Sequence, residues 1–215
     1  MLKTLFFLFS ILFYSGITPG LFSQEYKKTK GLWITREHLK DKGKIAELVD
    51  SANRAGFNTI FVQVRGRGDA FYNSSFVPRA EVLQGTPDFD PLEYIIRIAK
   101  IYKLKIHAWF NIFYLWSSDN LPDDKNHLIN IYSDWACRDY NGISMINFKQ
   151  KKLRKKGIEG IFLSPDNKEV QDYIISVLKE VIEKYRIDGI HLDYIRYPAI
   201  EFGFNERIKK IYTDR

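Results

Sequence analysis

Apolar and polar positions switch between two rhythms along most of this chain. Residues 59–65 read Thr-Ile-Phe-Val-Gln-Val-Arg, which puts Ile60, Val62 and Val64 on one side of a strand and Phe61, Gln63 and Arg65 on the other. Residues 31–35, 105–113 and 187–194 have the same strand character. Between them, spacings of three and four take over. Ile45, Leu48, Val49 and Ala52 share one face of a helix over about residues 44–55, closed by Gly56 as a left-handed cap. Leu92, Ile95, Ile96 and Ala99 do the same for a helix that Asp90 caps, Pro91 opens and residue 102 ends. A longer helix begins at Asp166-Asn167 and runs through Tyr185. Strands alternating with helices predict parallel strands joined by right-handed crossovers.

The rhythm breaks over residues 114–163, a stretch too long for a simple loop. Asn141-Gly142 within it is a two-residue hairpin turn signal, so the expectation is an inserted β-hairpin after the third strand. The insert carries Trp116, Tyr132, Trp135 and Tyr140, which either pack it or form a platform for sugar rings. The basic run Lys149, Lys151, Lys152, Arg154, Lys155 and Lys156 predicts a solvated loop or hairpin face. Its functional alternative is attraction to an anionic envelope polymer or lipid surface.

Four strand-helix units make about half of an eight-stranded (β/α)8 TIM-type barrel. The expected fold is therefore α/β, the N-terminal half of such a barrel. Residues 31–215 form the domain, with a further helix starting over about residues 206–212. A half-barrel leaves strand edges open, so the reading calls for the missing C-terminal half, or self-association, to cover them. Ahead of the domain, Lys3 precedes an almost unbroken apolar run over residues 5–14, followed by Ser15-Gly16 and Thr18-Pro19-Gly20. That is the pattern of a secretory signal peptide over residues 1–23, with a charged lead-in over 24–30. The run is too short for a stable membrane span. The expected location is the periplasm, the cell envelope or the exterior. Cys137 is the single cysteine, so no intrachain disulfide forms. The net charge is +7, yet an exported chain without an aromatic-basic binding motif does not point to nucleic acid.

In a βα-barrel, chemistry is mounted at the C-terminal ends of the strands. The second strand ends in Gln63 and Arg65, followed by a loop holding Asp69; the third brings His107, Trp109 and Asn111 to one face. The fourth ends in His191 and Asp193, followed by Tyr194, Arg196 and Tyr197. Acids, amides, a guanidinium and flat aromatic faces together suit a carbohydrate. Glycoside hydrolysis usually needs two carboxyl groups flanking the bond; Asp193 is the best candidate for one, and Asp69 is either the other or part of a tight turn. His107, His191 and Asp193 also admit a metal-dependent hydrolase, although no close His-x-x-x-His spacing supports it.

Six segments resemble, in order, the glycosyl hydrolase-like 10 family. They are Gly31-Leu-Trp-Ile-Thr35, Phe61-Val-Gln-Val-Arg65, Gly68-Asp-Ala-Phe-Tyr72, Asp90-Pro-Leu92, His107-Ala-Trp-Phe-Asn111 and Asp188-Gly-Ile-His-Leu-Asp193. The resemblance implies a βα-barrel glycosidase of bacterial envelopes, with a polysaccharide substrate such as peptidoglycan glycan strands and neither metal nor cofactor. It further implies Asp193 as a catalytic carboxylate, with Arg65, Asp69, His107, Asn111 and His191 around the sugar; Trp109, Tyr194 and Arg196 complete the expected substrate contacts. The fourth strand is also similar to those of family 18 chitinases, but their catalytic Glu would fall at Ile195, which cannot transfer a proton. The alternative function is a non-catalytic glycan-binding module or an inactive partial barrel.

Overall fold

The computed structural model describes residues 28–205 together with 210, 213 and 214. The expected leader over 1–23 lies outside them, as does most of the helix expected at 206–212. Four strands, β1 (Gly31–Ile34), β2 (Thr59–Arg65), β3 (Lys105–Asn111) and β6 (Gly189–Asp193), form one parallel sheet in the order β1-β2-β3-β6. Three helices complete the crossovers: α1 (Lys42–Arg54), α2 (Pro91–Ile101) and α5 (Lys168–Lys184). The insert between β3 and α5 holds β4 (Tyr114–Trp116), α3 (Leu128–Ile131), α4 (Gln150–Lys155) and β5 (Ile161–Phe162).

Each crossover helix starts where a side chain can take an orphan amide. Asp41 accepts from Lys44 N at 2.8 Å, so α1 begins about half a turn before the apolar spacing alone suggests. Asp90 accepts from Glu93 N and Asn167 from Glu169 N, opening α2 and α5. One face of the sheet, Ile60, Val62, Val64, Ile106, Ala108 and Phe110, is buried with Ile45 and Val49 of α1, Leu92 and Ile95 of α2, and Val177 and Val181 of α5. This is the hydrophobic layer that holds the sheet on its helices. The opposite face carries the chemistry. At the far edge, Leu192 of β6 is exposed.

The insert is antiparallel, but its pairing sits mainly at its two ends. β4 pairs with β5, whereas the Asn141-Gly142 turn closes a single bridge between Arg138 and Ser144. Asp139 accounts for this, because its carboxylate accepts from Asn141 N at 2.9 Å and Ile143 N at 2.8 Å, holding the turn from its side chain. The basic run is neither loop nor hairpin. Residues 150–155 form α4, because Leu153 is fully buried and anchors a short helix whose other residues are mostly exposed. Of the insert aromatics, Trp116 and Trp135 are buried and pack it. The Trp135 ring stacks on Tyr132 at 4.1 Å and donates to Glu169 at 2.9 Å, while Tyr140 stays exposed.

Gly160 sits where β5 meets β4. A Cβ there would lie 2.2 Å from the main-chain oxygen of Trp116, and no rotamer change relieves a clash with backbone. Gly160→Ala is expected to open this pairing and cost about 1–3 kcal/mol. Urea denaturation would show it as a lower midpoint at an unchanged slope.

Candidate active site

The inner face of the sheet is built in layers set by the parallel register. Trp33, Phe61, His107 and Gly189 are lateral neighbours, as are Gln63, Trp109 and His191; Asn111 pairs with Asp193 at the C-terminal end. Trp33 stacks on Phe61 with 4.5 Å between centroids, and the His191 ring meets Phe61 at 5.1 Å and Trp109 at 6.2 Å. His107 lies beside Phe61 at 5.1 Å. The glycine opposite His107 makes room for it, since a Cβ at Gly189 would come within 2.6 Å of the imidazole. Both histidines are half-buried, one in each of the two aromatic layers below Asp193.

Asp193 is the last residue of β6 and is half-buried. Trp109 Nε1 donates to one carboxylate oxygen at 3.2 Å and the backbone N–H of Tyr194 donates to the other at 2.7 Å. Its carbonyl accepts from Ile112 N at 2.8 Å, which ties β6 to the chain leaving β3. Tyr194 has φ +52°, in the left-handed region that a bulky side chain seldom occupies. Packing holds it there: its ring lies 4.8 Å from Tyr114 and 5.7 Å from Phe162. The bend aims the Tyr194 N–H at Asp193, so backbone strain fixes the carboxylate.

Other expected sugar contacts are committed within the protein. Arg65 is fully buried, and its Nη1 donates to the main-chain oxygens of Asn111 and Ile112. The strand register shifts between Gln63 and Arg65, which breaks the alternation that would have aimed Arg65 into the mouth. Asn111 is buried too, accepting from Gln63 Nε2 at 3.4 Å and donating to Gly66 O at 3.0 Å. These two residues hold strand ends in place through these bonds, while Nε and Nη2 of Arg65 are buried without a hydrogen-bond partner among the described residues. Arg196 pairs with Glu159 at 3.0 Å and lies over the rings of Phe162 and Tyr194, bracing the loop after β6. Asp69 accepts from Arg67 N at 2.8 Å, the turn arrangement, and lines a separate cleft of about 190 Å³ whose walls do not include Asp193. Asp193, Trp109 and His191 therefore come together, with His107 one layer below; Arg65, Asn111 and Arg196 support them, and Asp69 stands apart. Among the described residues, no three His, Cys, Asp or Glu side chains are grouped so as to hold a metal ion.

The second cleft contains residues that sequence pattern did not single out. Arg67 lies over the Trp116 ring at 4.5 Å, beside His127. His127 Nδ1 accepts from Ile129 N at 3.3 Å and caps α3, so its proton sits on Nε2, which donates to Arg67 O at 2.7 Å. Burial pushes its pKa below the ordinary 6.5. As pH falls through 6.5 the unfolded chain takes up a proton that the folded chain refuses. The stability tied to neutral His127 is thus complete above that pH and declines below it. The melting temperature of the protein is expected to fall more between about pH 7.5 and 5.5 than that of His127→Asn, which keeps a cap acceptor but does not titrate.

A parallel sheet backed by helices, with its polar and aromatic side chains at the C-terminal strand ends, is the architecture of part of a βα-barrel. The chain belongs to the glycosyl hydrolase-like 10 family, whose model matches residues 28–215. It is 30% identical over 183 residues to glycosyl hydrolase DigH of Escherichia coli (strain K12), covering 82% of this chain and 40% of DigH. It is 27% identical to glycosyl hydrolase YngK of Bacillus subtilis (strain 168), covering 81% of this chain and 31% of YngK. The chain thus spans well under half the length of these curated relatives. Among solved structures, alpha-L-fucosidase isoenzyme 2 from Paenibacillus thiaminolyticus matches 87% of this chain and 26% of its own, with a TM-score of 0.60 at 18% identity, which establishes shared fold.

Proposed function

We propose that the protein is an exported glycoside hydrolase acting on a bacterial envelope polysaccharide, with peptidoglycan glycan strands as its substrate and Asp193 as a catalytic carboxylate. One observation carries the reading: Asp193 stands half-exposed at the end of β6, both oxygens held by N–H donors, in a chain of a glycosyl hydrolase-like family. Two bacterial relatives that bear the name glycosyl hydrolase support the class, and the leader pattern over residues 1–23 supports export. In this mechanism Asp193 is one of the two carboxyl groups that flank the scissile bond. The Trp109 N–H and the Tyr194 amide hold it in one orientation, while the indole face of Trp109 and the ring of Trp33 offer flat surfaces to a sugar.

The test is release of new reducing ends from peptide-free glycan strands. Trp109→Phe removes the donor to Asp193 while keeping a ring. It is expected to lower kcat by about tenfold with KM little changed, a split that a lost sugar contact would not give. An unchanged kcat would remove Trp109 from the mechanism. The exposed stacking of Trp33 on Phe61 also favours a second reading, a non-catalytic glycan-binding module. That reading requires glycan affinity dependent on Trp109 with no reducing ends released.

A further inference from the structure

The cleft beside Asp69 has no part in the chemistry proposed for Asp193. Its walls come from the turn after β1, the loop after β2 and the start of the insert, all of which leave C-terminal strand ends. Arg67 is its central residue. It is half-buried, and its main chain is pinned twice: Asp69 accepts from its N–H at 2.8 Å, and His127 Nε2 donates to its carbonyl at 2.7 Å. The guanidinium rests on the Trp116 ring at 4.5 Å. Among the described residues it makes neither a hydrogen bond nor an ion pair. Only Nε of the group is buried; Nη1 and Nη2 open onto the cleft.

Two half-buried carboxylates line the same cleft, each with an oxygen to spare. Asp69 uses Oδ1 on Arg67 N, and Asp124 uses Oδ1 on Asn126 N at 2.8 Å. Oδ2 of each is not buried and has no hydrogen-bond partner among the described residues. The other charges on the walls are settled or lie at the rim. Arg36 pairs with Glu37 at 3.3 Å, Arg79 is saturated by Asn73 and three carbonyls, and Lys40 and Glu81 are exposed. Unpaired charges of both signs, held at fixed points in a half-buried cleft, call for a ligand that carries both.

Other ligands fit less well. A sugar needs a flat apolar face, but Phe71 and Trp116 are buried and Arg67 covers the Trp116 ring. A simple anion would meet Asp69 and Asp124, and a simple cation would meet Arg67. The volume of about 190 Å³ admits a small head group and not a run of sugar rings. We propose that this cleft binds the zwitterionic head of an α-amino acid. Nη1 and Nη2 of Arg67 take the carboxylate in a fork, and Asp69 and Asp124 take the ammonium, which has three donors to share. Free amino acids and amino acid heads carried on a peptide branch share this chemistry. Nothing in this binding uses Asp193, so it stands apart from the glycosidase reading.

The experiment follows binding of alanine, N-acetylalanine, alanine amide, N-acetylglucosamine and Nε-acetyllysine by calorimetry. It uses the wild type, Arg67→Gln and Asp69→Asn, with circular dichroism as the check on folding. Alanine is expected to bind the wild type at least about tenfold more tightly than N-acetylalanine, which lacks the ammonium, or alanine amide, which lacks the carboxylate. Arg67→Gln weakens alanine about tenfold without weakening alanine amide, and Asp69→Asn weakens alanine about tenfold without weakening N-acetylalanine. A loss of fold would instead weaken every probe alike. Nε-acetyllysine, whose head sits on a long neutral arm, separates the sources: binding equal to that of alanine marks a head carried on a branch, and its rejection marks a free amino acid. N-acetylglucosamine bound in preference to alanine would overturn the proposal in favour of a sugar subsite. N-acetylalanine bound as tightly as alanine would overturn it in favour of an anion site. Alanine affinity unchanged in Arg67→Gln, or no binding of any probe, would overturn it outright.

Discussion

Asp193→Asn is expected to lower glycoside turnover by about a thousandfold while glycan affinity changes by no more than about twofold. The substitution is isosteric, so the mouth keeps its shape. What changes is chemistry: an amide cannot take up a proton or carry the negative charge that stabilises an oxocarbenium-like transition state. The local hydrogen bonds amplify the loss. Both carboxylate oxygens accept, one from Trp109 Nε1 and the other from Tyr194 N. An asparagine can satisfy only one of them, and its NH2 must face the other donor. Asp193→Glu makes the complementary point. It keeps the charge but adds a methylene, and a shift of about 1 Å in a catalytic group can cost about a hundredfold. Both variants should bind glycan and fail to cut it, as measured by initial rates of reducing-end release. Turnover within a few-fold of wild type in Asp193→Asn would place the reacting carboxylates elsewhere.

Asp90→Ala carries the largest expected loss of stability, about 3 kcal/mol. Asp90 is buried and serves three partners: it caps α2 at Glu93 N, accepts from Asn73 N at 2.9 Å and accepts from the Tyr185 hydroxyl at 2.5 Å. Loss of the cap costs about 1 kcal/mol. Taking the carboxylate acceptor from the buried Tyr185 hydroxyl adds about 1–3 kcal/mol, whereas Asn73 N keeps the Tyr185 oxygen at 3.1 Å. The Tyr185 bond also joins α2 to the end of α5, so its loss loosens two crossovers at once. Burial and the neighbouring Asp90 both raise the Tyr185 pKa, which keeps the hydroxyl protonated as donor at any pH where the protein is folded. A cycle with Tyr185→Phe separates the contributions. If the geometry is right, the double variant is less destabilised than the sum of the two singles, with a coupling of about 1–2 kcal/mol in chemical denaturation.

Sheet, helices and the position of Asp193 were legible in the sequence because each rests on local rules. Alternation placed Phe61, His107, Trp109, His191 and Asp193 on one face, and the parallel register keeps them there. Asp90-Pro91 and Asn167 marked helix starts through chemistry that acts over three residues. Features that depend on contacts distant in sequence could not be read. The register shift before Arg65 turns an expected ligand into an internal brace, and no residue type announces it. Arg196, expected among the substrate contacts, instead pairs with Glu159, which lies 37 residues away. The basic run looked like a loop because Leu153 is the one buried apolar residue of its short helix. His127 carried no motif; its capping role emerges only where the insert folds back on the loop holding Arg67.

The central claim is that the mouth at Asp193 cuts glycan chains, and the most direct measurement is reducing-end release from peptide-free peptidoglycan glycan strands by the wild-type protein, with Asp193→Asn in parallel. The account predicts shortened chains that accumulate with time in the wild-type reaction and are absent from the variant, with both proteins binding the strands equally. Strands that are bound but left intact by the folded wild-type protein would contradict it and leave a glycan-binding module in its place.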